Sequence, residues 1–434
     1  MLEVLPVETI DAEVRIPGSK SYTNRALIIA ALADGVSTLL HPLKSDDTAA
    51  MITALREFGI DIEEHEDRFV VYGTGGALKS PSGEINVQNA GTAMRFLTTL
   101  SALAADETRL TGTARMQERP IGDLLDALAE LGVRAWSERR NSCPPIVVDG
   151  PGIRGGLCHL RGEISSQYLS SLLMCAPYAD ADVSVQVEGR QSSKPYVDMT
   201  MDIMQDWGIR VRETAEQSYQ VKAGQKYQAR EYTIEADASS ASYFMALAAV
   251  TAGHVRVLGV NPHTRQGDIA FAQVLEQMGC SVKRGDHFLE IQGVDRLKPV
   301  DIDMNSMPDM VQTLAIVAAC TEGTTTIRDV ANLRVKETDR LSALTKELKK
   351  AGIHAKELED GLIIEGGTPH GATIDTYGDH RMAMVFGILG AVVPGIRIKD
   401  PEVVSKSYPD FWKDLEKAGV SLRSEEHHDG VKKD

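Results

Sequence analysis

The clearest pattern along the chain is a block in which helix-spaced apolar residues end at a glycine and alternating apolar and polar residues follow. Runs such as AAMITALREFG and IGDLLDALAELG have this spacing, and a glycine just after a helix relieves the strain of a left-handed backbone. The alternating stretches, such as IDIEEHEDRFVVYG, have a polar centre that is typical of a hairpin. Each block therefore predicts a helix, a glycine at its end and a hairpin.

This block occurs six times. Its core reads LREFGIDI, LAELGVRA, MQDWGIRV, LEQMGCSV, LKKAGIHA and LEKAGVSL, with successive glycines 73, 76, 71, 73 and 67 residues apart. Segments such as AEVRIPGSKSYTNRALIIAALADG add a short strand, a turn of small residues and a very apolar helix to each block. The predicted unit is strand, helix, strand, helix and hairpin. The six glycines are Gly59, Gly132, Gly208, Gly279, Gly352 and Gly419.

Six units need more than one core, because single hydrophobic cores stop growing near about 250–300 residues. We therefore expect two domains of three units, with a boundary in residues 225–237, where AGQKYQAREY is polar. The apolar helices should be interior, and the more charged helices before the repeat glycines should cover the outside.

Composition narrows the class of protein. With 434 residues, 43% hydrophobic, the chain is typical of a folded protein rather than a disordered one. It has 46 Lys and Arg against 62 Asp and Glu, a net charge of −16, which disfavours nucleic acid and anionic membranes as partners. Any bound anion therefore needs a local cluster of cations.

Other sequence features bear on location and redox state. No apolar run reaches the ~18 residues of a membrane span, and the first residues, MLEVLPVETIDAEV, lack the features of a signal peptide. The five cysteines are odd in number and include no Cys-x-x-Cys pair, which argues against a disulfide framework or a zinc site. We expect a cytoplasmic protein.

Candidate chemistry lies at the predicted helix starts. Small residues with hydroxyl or amide groups there are either ordinary caps or parts of an anion site built on free backbone N–H groups. Lys20, Arg25 and Arg381 favour the anion site, because a helix start disfavours a cation unless an anion compensates it. The segments are 18–21 with Arg25, 89–92, 165–167, 237–240, 308–309 and 379–381.

A second set of polar segments precedes the other helix of each unit. Most carry Arg or Lys, and each has an aspartate at or near its end that we expect to cap the coming helix. NLRVKETDR packs five charged residues into one loop, which by itself is either a solvated charge run or part of a site. The segments are LKSDDT, ARMQERPIGD, GRQSSKPYVD, HTRQGD, NLRVKETDR and SKSYPD.

Nine segments in order along the chain resemble the enolpyruvyl transferases, in the branch that acts on shikimate-3-phosphate. The resemblance implies an α/β fold of two inverse α/β-barrel-like domains, each of three βαβαββ repeats. It places the domains at residues 21–236 and at 1–20 plus 237–434, with the active site in the cleft between them. The segments are PGSKSYTNRAL, NAGTAMR, ERPIGDLL, SSQYLSSLL, SKPYVD, ADASSASYF, NLRVKETDRL, DHRMAM and SKSYPDFW.

The resemblance also implies a reaction in the shikimate pathway to chorismate and the aromatic amino acids. The enolpyruvyl group of phosphoenolpyruvate moves to the 5-hydroxyl of shikimate-3-phosphate, and phosphate is released. These small molecules are the implied partners of a monomer, with neither metal nor organic cofactor. Gly91 implies inhibition by glyphosate, to a degree left open by Phe96, where many relatives have proline.

Site residues follow from the resemblance position by position. Asp309 is implied to take the proton of the 5-hydroxyl, Glu337 to protonate the enolpyruvyl methylene, and Lys20 to touch both substrates. The shikimate-3-phosphate positions are Lys20, Ser21, Arg25, Ser165, Ser166, Gln167, Ser193, Tyr196, Asp309, Asn332 and Lys336. The phosphoenolpyruvate positions are Lys20, Asn89, Gly91, Thr92, Arg119, Gln167, Arg340, Arg381 and Lys406.

Several alternative interpretations fit the sequence less well. The sister enzyme acting on UDP-N-acetylglucosamine carries a cysteine in a mobile loop, where this chain reads GTARMQERPIG and has no cysteine. This absence argues against the sister enzyme. RNA 3′-phosphate cyclase relatives fit the acidic charge poorly, and a binding scaffold without chemistry would not need carboxylates beside lysines. His380 beside an arginine makes a poor metal ligand, and His427 and His428 fit a solvated tail. Repulsion among the basic residues should hold the cleft open before substrates bind.

Overall fold

The computed structural model describes residues 1–150 and 152–424, so His427 and His428 lie outside the described residues. Twelve α-helices form in these two ranges, and six short 3-10 helices accompany them. The α-helices are α1 Lys20–Leu32, α2 Asp46–Glu57, α3 Gly91–Ser101, α4 Gly122–Glu130, α5 Ser166–Cys175, α6 Lys194–Asp206, α7 Ala238–Val250, α8 Phe271–Gln277, α9 Val311–Ala319, α10 Arg340–Lys350, α11 His380–Gly390 and α12 Phe411–Lys417. The 3-10 helices are Met116–Glu118, Ala176–Tyr178, Gly267–Ala270, Pro308–Met310, Ala331–Val335 and Pro401–Lys406.

The strands are short, and 24 of them lie within the described ranges. They are β1 Leu2–Val4, β2 Asp11–Arg15, β3 Asp34–Leu40, β4 Asp61–Glu64, β5 Arg68–Thr74, β6 Ile85–Asn86, β7 Glu107–Thr111, β8 Arg134–Ser137, β9 Ile146–Asp149, β10 Gly156–Arg161, β11 Val183–Glu188, β12 Arg212–Ala215, β13 Ser218–Val221, β14 Glu231–Thr233, β15 His254–Leu258, β16 Ser281–Gly285, β17 Phe288–Gln292, β18 Asp301–Asp303, β19 Gly323–Arg328, β20 His354–Glu357, β21 Leu362–Gly366, β22 Thr373–Ile374, β23 Ile396–Ile398 and β24 Leu422–Ser424.

Six four-stranded sheets share one topology. In the second unit the order is β6-β7-β9-β8, where β6 and β7 are parallel and the other neighbours are antiparallel. The helix α3 connects the parallel pair, as a parallel connection requires, and β8 and β9 form the predicted hairpin. The repeating βαβαββ unit predicted from the sequence is therefore confirmed.

Three sheets take a strand from a distant part of the chain. β14 pairs with β3 of the first unit, and β2 pairs with β15 of the fourth unit. The N-terminal β1 lies between β23 and β24 and supplies the inner strand of the sixth sheet. The repeat spacing alone did not predict these exchanges, because the exchanged strands are far from their sheets in the sequence.

Buried apolar residues form two separate clusters. One extends from Tyr22 to Ile234, and the other combines residues from Val4 to Ile16 with residues from Ala236 to Val420. Helices α1, α3 and α5 are buried along most of their length in the first cluster, and α7, α9 and α11 in the second. This confirms that the most apolar helices are interior.

Local backbone predictions had mixed success. All six repeat glycines have positive φ angles, between 80° and 111°, as expected for residues that end helices. The predicted aspartate caps were mostly wrong. Asp339 does accept a bond from the Ser342 N–H, but Ser45 caps α2 instead of an aspartate. No side-chain cap bond forms at α4, α6, α12 or the 3-10 helix Gly267–Ala270, where Asp123, Asp198, Asp410 and Asp268 were the expected caps.

The segment predicted as a polar boundary is not polar throughout, because Tyr227 within it is fully buried.

The inserted strand β1 generates a stability prediction. Val4 is fully buried, so Val4→Ala leaves a cavity inside the sixth sheet. We expect the free energy of unfolding to fall by about 2 kcal/mol, which a lower midpoint of thermal unfolding would show. Val36→Ala is the control, because Val36 is 52% exposed on a strand. Equal midpoints for the two variants would mean that β1 contributes little to this core.

Candidate active site

The starts of the buried helices meet between the two core clusters and line a cavity. This first cavity has about 730 Å³ of empty space, part of it open to solvent. It receives residues from α1, α3 and α5 on one side and from α7 and α11 on the other. It brings together all eleven positions matched to shikimate-3-phosphate: Lys20, Ser21, Arg25, Ser165, Ser166, Gln167, Ser193, Tyr196, Asp309, Asn332 and Lys336.

A second cavity of about 340 Å³ adjoins the first and shares six lining residues with it: Lys20, Thr92, Gln167, Asp309, Lys336 and Arg381. Glu337 lines this second cavity. Seven of the nine positions matched to phosphoenolpyruvate also line it: Lys20, Gly91, Thr92, Arg119, Gln167, Arg340 and Arg381.

The two remaining positions, Asn89 and Lys406, lie behind the second cavity. The Lys406 ammonium donates to the Asn89 carbonyl at 2.9 Å, and Arg119 donates to the same carbonyl at 3.3 Å. Gly91 is close to Arg119 as well, because a Cβ added at Gly91 would lie 2.5 Å from an Arg119 guanidinium nitrogen. A larger side chain at Gly91 would therefore displace Arg119.

Arg340 is the centre of the charge network. Its guanidinium donates to Asp379 at 2.7 Å, to Asp309 at 2.8 Å and to Glu337 at 2.9 Å. Arg381 donates to the other oxygen of Asp309 at 3.1 Å and to the Tyr243 hydroxyl. Asp309 thus bridges two buried arginines.

These arginines control both candidate proton-transfer groups. Burial raises the pKa of Asp309, but Arg381 and the neighbouring cations outweigh it and hold this pKa well below its usual range. Burial likewise opposes ionisation of Glu337, yet Arg340 and Arg119 lower its pKa well below the usual value. In this arrangement both groups are carboxylates.

The two lysines facing the cavities differ in environment. Burial lowers the pKa of Lys20, but its 3.1 Å ion pair with Asp47 contributes to a net rise above the usual value. Burial lowers the pKa of Lys336, and the nearby Asp309 only partly offsets this effect. Asp47 also accepts a bond from Lys406, so this one carboxylate connects two cations.

Most cations of the site are compensated by carboxylates in this arrangement, while the expectation of a cleft held open before substrates bind stays a prediction. Lys20 and Lys406 share Asp47, Arg381 pairs with Asp309, and Arg119 lies 3.9 Å from Glu337. Carboxylates offset most of the positive charge, and polar side chains from the two halves of the molecule are in contact across the site. The sequence interpretation counted the cations but did not pair them.

Sequence reasoning also missed Asp268, which it interpreted as a cap. The Asp268 carboxylate is fully buried and accepts bonds from the Tyr196 hydroxyl at 2.9 Å and from Ser239. Burial, with the charge of Asp309, raises its pKa from 3.8 to about 6. The only sequence signal was its position in HTRQGD, one of the segments that precede the outer helices.

His380 has no sign of a metal-binding role. It is 1% exposed, and burial together with Lys20 lowers its pKa well below 6.5. Among the residues that the structure describes, neither ring nitrogen has a hydrogen-bond partner, and no group of three or more His, Cys, Asp or Glu side chains could hold a metal ion.

Comparisons with known proteins match the whole architecture. The family model described as EPSP synthase (3-phosphoshikimate 1-carboxyvinyltransferase) matches residues 4–415. A 3-phosphoshikimate 1-carboxyvinyltransferase of Trichormus variabilis is 45% identical over 405 residues, covering 93% of this chain and 95% of the relative. EPSP synthase from Acinetobacter baumannii has a TM-score of 0.81 at 28% identity, covering 98% and 99% of the two chains. The enolpyruvyl transferase NikO from Streptomyces tendae, at 18% identity and a TM-score of 0.79 over 97% and 98% of the chains, shares the fold.

The fold and the site define a transferase of two α/β halves with a charged cleft. The chain belongs to the EPSP synthase (3-phosphoshikimate 1-carboxyvinyltransferase) family. Separately, none of the helices in residues 1–150 and 152–424 has the length and apolar character that a membrane span requires.

The raised pKa of Asp268 generates a pH prediction. The folded state binds this proton more tightly than the unfolded state, so the resulting stabilisation is complete below pH 3.8 and is lost as the pH rises through about 6. Asp268→Asn removes this dependence. We expect the free energy of unfolding of the parent, relative to that of Asp268→Asn, to fall by about 1 kcal/mol between pH 5 and pH 7.5. Thermal unfolding of both proteins across this pH range measures the difference.

The control for this experiment is Asp295→Asn, at an exposed loop position, which should follow the parent at every pH. The groups that face Asp268 are Tyr196, Ser239, Asp309 and Arg381, and all are unchanged in both variants. Parallel pH curves for the parent and Asp268→Asn would show that Asp268 does not titrate in this range.

Proposed function

We propose that the chain transfers the enolpyruvyl group of phosphoenolpyruvate to the 5-hydroxyl of shikimate-3-phosphate and releases phosphate. The observation that carries this proposal is that the matched residues line two adjoining cavities with a common boundary. Six matched residues line both cavities: Lys20, Thr92, Gln167, Asp309, Lys336 and Arg381. Two substrates bound side by side would have their reacting groups at this shared boundary. The cations around it fit two substrates that each carry a phosphate and a carboxylate.

The proposal includes two domains, residues 21–236 and residues 1–20 with 237–434. The two separate core clusters support this division, because their residues change from one cluster to the other between Ile16 and Tyr22 and again between Ile234 and Ala236. An antiparallel bridge between Gly18 and Ala236 joins the two crossing segments side by side. A paired connection of this kind fits a hinge between domains.

Asp309 is the proposed acceptor of the hydroxyl proton. It lines both cavities, so it can face the acceptor hydroxyl of one substrate and the reacting carbon of the other. Glu337 lines the second cavity only, which suits a donor to the enolpyruvyl methylene. The hydroxyl oxygen bonds to C2 of phosphoenolpyruvate as its proton passes to Asp309 and Glu337 protonates the methylene, which gives a tetrahedral ketal. The bond from C2 to the phosphate oxygen then breaks as a methyl proton returns to Glu337, which restores the enolpyruvyl double bond. Cations such as Arg119 and Arg340 stabilise the charge on the departing phosphate.

Proton donation by Glu337 requires it to be protonated first. Arg340 and Arg119 keep it ionised in the present arrangement. Anionic substrate groups that bind these arginines would compete for their positive charge and raise the pKa of Glu337. Substrate binding thereby prepares its own proton donor.

The remaining expectations are part of the same proposal. A monomer in the cytoplasm that binds no nucleic acid is the state expected from the sequence. Sensitivity to glyphosate is expected at the phosphoenolpyruvate side, where Gly91 leaves space against Arg119.

A direct assay tests the reaction. The protein mixed with shikimate-3-phosphate and phosphoenolpyruvate should release inorganic phosphate, measured by a coupled enzyme assay. With UDP-N-acetylglucosamine in place of shikimate-3-phosphate, no phosphate should be released, and this control excludes the sister enzyme as the alternative. Phosphate release from phosphoenolpyruvate with the UDP-sugar but not with shikimate-3-phosphate would reverse the assignment.

The proposed base gives a second test. Asp309→Asn keeps the shape of the side chain but cannot accept the proton, so kcat should fall by about 10²- to 10⁴-fold. The dissociation constant of shikimate-3-phosphate, from calorimetry, should change by less than about tenfold, since a charge repelling the anion is removed while its hydrogen-bonding shape remains. A kcat near that of the Asp295→Asn control would exclude Asp309 from the mechanism.

A further inference from the structure

Arg115 reaches across the cleft and binds the backbone of the loop that carries Lys336 and Glu337. It precedes the 3-10 helix Met116–Glu118, next to the first core cluster. Its Nε donates to the Lys336 carbonyl at 3.1 Å, and one terminal nitrogen donates to the Arg334 carbonyl at 3.2 Å. The other terminal nitrogen pairs with Glu118 at 3.1 Å.

The loop has a physical need for such a partner. The 3-10 helix Ala331–Val335 is followed directly by Lys336, and the last carbonyls of a helix lack partners within it. A cation at this end satisfies them and is favoured by their partial negative charge. A guanidinium can bind two carbonyls at once because its N–H groups are held in a fixed fork.

The other side of the loop is fixed to its own half. The Arg334 guanidinium binds Glu357 at 2.6 Å and Asp339 at 3.0 Å, and it donates to the Leu358 and Glu359 carbonyls. The side chain of Arg334 therefore fixes the loop to the β20–β21 hairpin, while Arg115 holds the backbone from the opposite half of the molecule.

We propose that Arg115 is a positioning residue that sets the backbone between Arg334 and Glu337 when the two halves are in contact. Lys336 lines both cavities and Glu337 lines the second one, so a shift of this backbone moves both side chains. The kinetic consequence rests on the proposed function, in which Lys336 binds substrate and Glu337 donates a proton. Arg115 acts through these residues and does not line either cavity.

Arg115→Met tests the proposal, because methionine keeps much of the length and removes the donors. We expect kcat/KM for the phosphate-release reaction to fall about 10- to 100-fold. Because Glu337 is displaced, kcat should fall as well. Arg115→Lys keeps the charge but not the fork, so it should restore only part of the loss. The melting temperature should stay within about 2 °C of the parent, since the Arg115 side chain is 31% exposed.

The matched control is Arg109→Met. Arg109 lies on the same half, its side chain is 37% exposed, and it pairs with two glutamates, Glu84 and Glu138. This variant removes a similar surface ion pair without touching the loop, so its kcat/KM should equal that of the parent. A kcat/KM for Arg115→Met within twofold of the Arg109→Met control would overturn the proposal.

Hydrogen exchange separates this proposal from the proposed reaction. In the protein alone, amides of residues 332–337 should exchange faster in Arg115→Met than in the parent, and Arg109→Met should leave them unchanged. An unchanged rate in Arg115→Met overturns the proposal whether or not the parent is active. An inactive parent with faster loop exchange in the variant would instead refute the proposed reaction and retain the positioning role.

Discussion

The structure depends on the pairing of buried charges around Arg340. A buried ion costs several kcal/mol unless partners replace its hydration, and here one guanidinium meets the carboxylates of Asp309, Glu337 and Asp379. These residues come from the fifth and sixth units of the chain, so the network also fixes these units against each other. Removing Arg340 would take a cation from all three buried carboxylates at once.

The repeated fold explains why so many polar groups meet at one place. Each unit has the same strand order, so each buried helix starts at the equivalent edge of its sheet. Three such starts in each half, placed face to face, bring Lys20, Gln167 and Arg381 to neighbouring positions although they are far apart in the sequence. The same geometry brings the positive ends of several helix dipoles to one place, which favours bound anions.

The sequence predicted the repeats, the buried helices and the matched residues of the first cavity, because periodicity and motifs are local signals. It could not predict partners that depend on how distant segments pack. Asp47 belongs to a segment interpreted as a cap, yet it pairs with Lys20 and Lys406. Asp268 was misinterpreted for the same reason: a carboxylate before a helix fits a cap equally well until Tyr196 is placed against it. The expectation of repulsion in the cleft likewise rested on the cations alone, without the carboxylates that pair with them.

The carboxylates that compensate the cations also give the site a means of responding to substrate. Arg119 and Arg340 are paired with Glu337 and lower its pKa, while an anionic ligand offers them an alternative partner. Nearby positive charge lowers the pKa of a carboxyl group, and this pKa rises when an anion shares that charge. In the proposed mechanism Glu337 therefore gains its proton as phosphoenolpyruvate binds, and it then donates this proton to the same substrate. A site built of unpaired cations would bind anions as well, but it would have no carboxylate whose protonation follows binding.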